Sequence, residues 1–158
     1  NKRMKVNLIS FLILFFIISS CNQKKIIHKF LDFDDNGWNS EFSCTYRFST
    51  EDIDHNANIS LSIRYDIEYP YQNFYYSYHI LDSIDTIAKK ELNEMILFDE
   101  KNGKPIGNGI SKTFILEEKI IENLFLKRNS SFSIHIYQMM REENLLGIKS
   151  VGVLVEKN

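Results

Sequence analysis

Cysteine is scarce in this chain, with two in 158 residues, Cys21 and Cys44. With Cys21 assigned below to another task, Cys44 has no partner in the chain and reads as a small buried hydrophobe. No histidine lies near it in sequence to activate the thiol, so no redox or catalytic role is expected of it. Charge of one sign is also lacking. The formal net charge is −2, and removing residues 1–20, which carry Lys2, Arg3 and Lys5 and no acid, lowers it to −5. A nucleic-acid partner needs a basic footprint, so none is expected. Attraction to anionic headgroups is equally weak, so any membrane attachment must rest on something other than charge. Beyond the N-terminus no long apolar run occurs.

Catalytic and metal-binding patterns are missing too. His28, His55, His79 and His135 are scattered, none at a ligand spacing from another His, Cys or acidic pair. Gly103-Lys104-Pro105-Ile106-Gly107-Asn108-Gly109 lacks the Gly-Lys-Ser/Thr ending of a phosphate loop, and Pro105 removes an N–H donor, so a surface turn is expected. Asp32, Asp34 and Asp35 lack the spaced ligands and terminal Glu of a calcium loop. No Gly-x-Ser-x-Gly elbow occurs. Carboxylate pairs for sugar hydrolysis need be close only in space, and nothing nominates one. The expectation is therefore no catalytic residue, no metal, no cofactor and no small-molecule substrate.

What is present favours strands. The length suits one domain. Aromatics make up 13% of the chain, mostly Phe and Tyr, and such side chains suit a pleated, half-buried surface. Ile59, Leu61, Ile63, Tyr65 and Ile67 alternate with Ser60, Ser62, Arg64 and Asp66, which places the first set on one face. Burying five such side chains contributes roughly 7–15 kcal/mol as an upper bound, before chain entropy opposes it. Phe132, Ile134 and Ile136 repeat the pattern, as do Val151, Val153 and Val155. Phe42–Phe48 and Phe74–Ile80 are further strands, the second with aromatics on both faces. Asn36-Gly37 and Asn102-Gly103 are turn signals.

Two segments read differently. Ile84, Ile87, Ala88, Leu92, Met95 and Ile96 follow helical spacing, and Leu116, Ile120, Ile121, Leu124 and Phe125 do so more loosely. The aromatic cluster Tyr69, Tyr71, Tyr75, Tyr76 and Tyr78 reads as core filling ahead of a contact surface for protein or sugar.

The N-terminus carries an export signal. Lys2, Arg3 and Lys5 precede Val6–Ile18, an apolar stretch of 13 residues, which is short of the ~20 that span a bilayer as a helix. Asn1 is an unusual start, and Met4 offers another. Ile18-Ser19-Ser20-Cys21 has the form of a lipobox: a branched apolar residue, two small residues, then the cysteine that accepts diacylglycerol. Each buried CH₂ contributes ~0.8 kcal/mol, so two or three acyl chains hold a protein effectively permanently. Asn22 in place of Asp permits outer-membrane sorting, and Gln23-Lys24-Lys25 is no acidic export tag, which favours a periplasm-facing domain. The expected division is a signal peptide over 1–20, an acylated Cys21 with a tether to residue 29, and one antiparallel β-sandwich over 30–158, jelly-roll-like or immunoglobulin-like.

Several stretches resemble a known family. These are Ser62-Ile63-Arg64-Tyr65 leading into Tyr69-Pro70-Tyr71-Gln72-Asn73-Phe74-Tyr75; Asp85-Thr86; Gly103-Lys104-Pro105-Ile106-Gly107; Tyr137-Gln138-Met139-Met140-Arg141; Leu145-Leu146-Gly147-Ile148; and Val151-Gly152-Val153. Together with the lipobox they make the chain similar to the gliding motility lipoproteins of the Bacteroidetes, the GldH family. Pro105, Met139 and Leu146 depart from that pattern. The resemblance implies a non-enzymatic envelope component of the gliding and type IX secretion machinery, working beside other envelope proteins. It also implies extended structure over Ile84–Ile96, against the helical spacing, and extended structure is the expectation adopted. Tyr69, Tyr71, Asn73, Tyr75, Gln138 and Arg141 are the candidate partner contacts, although Gln138 and Arg141 suit pinning a strand end and its loop better. A carbohydrate-binding sandwich is the alternative function.

Overall fold

Alternation is the organising pattern of the fold. The computed structural model describes residues 25–83, 86–88 and 92–158. The signal segment, including Ile18, Ser19, Ser20 and Cys21, lies outside the described residues, as does Asp85. In chain order the strands are β1 (Lys25–Asp32), β2 (Trp38–Asn39), β3 (Cys44–Ser49), β4 (His55–Asp66), β5 (Asn73–Leu81), β6 (Thr86–Ala88), β7 (Asn93–Ile96), β8 (Asn108–Ile110), β9 (Thr113–Leu126), β10 (Ser131–Gln138), β11 (Asn144–Leu145) and β12 (Ile148–Lys157). Among the described residues there is no helix.

Every strand pairing is antiparallel. One sheet has the order β1-β12-β4-β9-β8; the other runs β3-β10-β5-β6, with β7 also on β5; β2 and β11 form a separate ribbon. The result is the expected β-sandwich. Ile59, Leu61, Ile63 and Tyr65 are fully buried beside Val151, Val153 and Val155, and the second sheet contributes Phe74, Tyr76, Ile80, Ile134 and Ile136 to the same core. The sheets are also joined by polar contacts. The Tyr46 hydroxyl donates to the Val151 carbonyl at 2.7 Å. Cys44 sits nearby at 0% exposure, and burial pushes its thiol up to about 12, which leaves it without a reactive thiolate at neutral pH.

The structure corrects three details and bears out, in its described parts, the extended structure adopted over Ile84–Ile96. Ile67 does not share the inward face: β4 ends at Asp66, and Ile67 is 44% exposed. Phe42 likewise precedes its strand and is exposed. The tether is shorter than expected, because residues 25–29 belong to β1 and pair with β12 from Glu156 to Val153. The helical spacing is overruled wherever it can be checked: Thr86–Ala88, Asn93–Ile96 and the whole of Thr113–Leu126 are strands.

Candidate functional site

The register of the first sheet gives the sandwich two distinct ends. At one end Lys25 pairs with Glu156, Lys157 with Ala57, and Ala57 with Leu124. At the other, Asp32 pairs with Ser150, Ser150 with Arg64, and Asp66 with Thr113. The chain enters at the first end. β4 runs between the ends, and its 12 residues span roughly 35–40 Å at a rise of ~3.3 Å per residue.

The far end is built from three separated stretches of chain. Just past β4, the Asp66 carboxylate accepts the Glu68 N–H at 2.9 Å and its carbonyl accepts the Tyr69 N–H at 3.0 Å, closing a turn. The Asp66 N–H donates to the Gly147 carbonyl, and the Ile67 N–H to the Lys112 carbonyl. The second stretch is tied to the first by the Leu97 and Phe98 N–H groups, both donating to the Gln72 carbonyl, while Phe98 pairs with Pro105. Beneath them the buried Tyr65 hydroxyl reaches the Leu97 carbonyl at 2.7 Å and the Ile106 carbonyl, and burial raises its pKa to about 12.

The third stretch is organised by Gln138, which is 3% exposed. Its side-chain amide donates to the Glu142 carbonyl at 2.8 Å, and its amide oxygen accepts the Met140 N–H at 2.8 Å. The Met139 N–H donates to the Tyr75 carbonyl, and the Tyr71 hydroxyl bonds the Glu142 carboxylate. That bond is the first cause of a raised Tyr71 pKa.

The six candidate contact residues all lie at or beside this end, but in different roles. Tyr69 is buried, its hydroxyl donating to the Asn73 carbonyl at 3.0 Å and its ring edge-on to Tyr71 at 5.7 Å. Gln138 is a buried loop pin. Asn73 and Tyr75 are half-buried, Asn73 donating to the Glu94 carboxylate. Tyr71 is half-buried at the rim, and Arg141 is exposed. Exposed apolar side chains complete the end: Phe42 (48%), Ile67 (44%), Met139 (40%) and Leu146 (55%). Beside them Tyr71, Phe98, Asp99 and Glu100 line an open groove of about 320 Å³. Phe42 and Ile67 were not singled out as contacts in the sequence, because a partly exposed apolar residue looks like a core residue until its surroundings are known.

Elsewhere, His79 and His135 face each other across β5 and β10. Burial first, then Arg47 and His79, hold the His135 pKa below its ordinary value. Its ring nitrogens contact Thr45 at 3.0 Å and Ser133 at 3.1 Å. Among the described residues no group of three or more His, Cys, Asp or Glu is placed to hold a metal ion.

Fold and end-loop geometry together define an antiparallel β-sandwich that displays a rigid, partly apolar loop surface at the end opposite its N-terminal strand. A family model described as GldH lipoprotein matches residues 25–155, and the chain belongs to the GldH lipoprotein family. No curated protein matches the chain. Of the stretches on which the family resemblance rests, four, 69–73, 103–107, 137–141 and 145–148, meet at this end, while 151–153 lies along β12 opposite Ile63–Leu61 and Asp85 is outside the described residues.

Proposed function

We propose that this chain is an outer-membrane lipoprotein, its Cys21 thiol first modified with diacylglycerol and the chain then cleaved behind Ser20, with its β-sandwich facing the periplasm. There it acts as a non-enzymatic assembly component of the gliding motility and type IX secretion machinery. The observation that carries this reading is the family match over residues 25–155, directly downstream of Ile18-Ser19-Ser20-Cys21. The far end supports a protein partner. Met139, Leu146, Tyr71 and Arg141 all lie at this end, and Met, Tyr and Arg are enriched at protein interfaces. The loops are cross-braced, so little ordering entropy is lost on binding. The carbohydrate alternative is less well supported, because Tyr69 is buried and Tyr71 is only half-exposed, which leaves little open ring face for a sugar.

The test is affinity capture of the acylated protein from gliding cells, with Cys21→Ala as control. The expected result is recovery of envelope proteins with the acylated form and loss of gliding on deletion of the gene. Normal gliding and secretion in the deletion strain would reject the reading.

A further inference from the structure

The end where the chain enters differs in kind from the far end. Thr50–Asp54, between β3 and β4, is locked to the β9–β10 turn. The Thr50 hydroxyl donates to the Lys127 carbonyl at 2.6 Å, the Asn129 N–H to the Glu51 carbonyl at 2.8 Å, and the Arg128 N–H to the Asp54 carboxylate at 2.7 Å. The Glu51 carboxylate meets Lys157 at 2.7 Å, and Lys25 lines a small cavity with Thr50, Glu51 and His55. On this braced platform Ile53 is 67% exposed at the loop tip. Phe125 is 58% exposed and pairs with Asn56, three residues past Ile53. Exposed around them are Lys25, Lys127 and Arg128, which form no ion pair among the described residues, and, on either side of Ile53, the carboxylates of Asp52 and Asp54.

Isolated exposed apolar residues need no explanation. Their location makes these two informative. Cys21 precedes Lys25 by four residues, a chain that spans at most ~14 Å at ~3.5 Å per residue. A lipid on Cys21 therefore holds this end, and no other, against the bilayer. We infer that the entry end of the sandwich rests on the lipid surface, with Ile53 and Phe125 entering the boundary between headgroups and acyl chains. Lys25, Lys127 and Arg128 then sit at headgroup level, where cationic side chains meet lipid phosphate. Because the two ends are joined by the stiff length of β4, this contact turns a flexible tether into a fixed stance and holds the far-end loops away from the membrane. The inference rests on the acylation proposed above.

The experiment uses the acylated full chain in vesicles whose acyl chains are brominated, which quenches indole emission in contact with them. Trp38, the single tryptophan, is fully buried and gives a constant background. Two variants are compared, Ile53→Trp at the entry end and Leu146→Trp at the far end. The expected result is that both float with the vesicles, that most of the emission added by Ile53→Trp is lost, and that the emission added by Leu146→Trp is kept. Flotation with Ile53→Trp unquenched, or with both variants quenched alike, would overturn the inference and leave the anchor standing. Failure of the acylated chain to float would overturn both.

Discussion

Gly147 is pressed against Tyr69. A Cβ at position 147 would stand 2.9 Å from the Tyr69 Cα and 3.1 Å from its Cβ, and Gly147 itself has φ of +85°. The contact lets the β11–β12 connection close over the turn after β4, and it requires glycine for two reasons at once. Gly147→Ala therefore meets both a conformational cost and a collision with the Tyr69 backbone. Gly103 isolates the first effect, because its φ is +65° but nothing lies within 4 Å of its would-be Cβ. Gly103→Ala should lose about 1–2 kcal/mol, the ordinary cost of a left-handed alanine, and Gly147→Ala clearly more. Urea unfolding of the two variants tests the order. Equal losses would mean that the loop yields and the Tyr69 contact does not matter.

Gln138 supports a second prediction. Its amide makes one bond in each direction to the loop that follows, and both partners are backbone groups. Gln138→Leu keeps the volume and strands the Met140 N–H and the Glu142 carbonyl. The expected loss is about 2–4 kcal/mol, counting ~1–3 per buried orphaned group with partial access of water to the loop. Hydrogen exchange should show the opening confined to residues 139–143, with β10 itself still protected. Exchange unchanged at those residues would remove Gln138 as the pin.

The strands that were legible in the sequence share one property, an uninterrupted period of two long enough to be seen. β4, β10 and β12 have it. β9 lacks it for a physical reason: its pairing with β4 shifts register between Ala57 and Ile59 and again between Ile59 and Ser60. One bulge lets the adjacent Ile120 and Ile121 both pack against the core, and the other, at Glu122 and Asn123, delays the next core contact to Leu124, so the spacing imitates a helix. β6 and β7 are three and four residues long, too short to display any period. β1 is an edge strand with no fully buried residue, exposed and half-buried positions falling in pairs and not alternating one by one, so its Lys-Ile-Ile-His-Lys start reads as tether. At the far end Gln138 was legible as a pin, because a buried amide must be bonded. The apolar exposure of Phe42 and Ile67 was not, since it depends on where neighbouring loops stop.

Glu118 gives a pH prediction. It sits on β9, faces the core side and is half-buried, and desolvation raises its pKa above 4.5. A carboxyl whose folded pKa is raised favours the fold below its unfolded pKa and loses that contribution as pH rises through the folded value. At neutral pH the charged side chain is therefore a net cost. Glu118→Gln should raise Tm at pH 7, and the gain should shrink as the pH is lowered towards 4, where protonation removes the buried charge. A Tm gain of the same size at both pH values would point to packing and not to charge.

The far-end surface is the part on which the functional reading can be tested without disturbing the fold. Leu146 is 55% exposed and Met139 is 40% exposed, so their replacement by aspartate removes few contacts within the domain. Exposed substitutions of this kind typically change stability by within ~0.5 kcal/mol. At an interface the same change is severe, because a carboxylate would have to be desolvated against the partner's apolar surface with no counter-charge in place. Arg141 stands in the same loop as Met139, so charge reversal there by Arg141→Glu provides an independent probe of the same surface. Each of the three variants should float and unfold like the parent protein, yet capture at least tenfold less of the envelope proteins recovered with it, a loss of ~1.4 kcal/mol or more in binding. Asp52→Lys, at the entry end, should leave capture unchanged. If Leu146→Asp, Met139→Asp and Arg141→Glu all capture as the parent does, the partner binds elsewhere on the sandwich, and the convergence of the family's stretches at this end reflects loop folding alone.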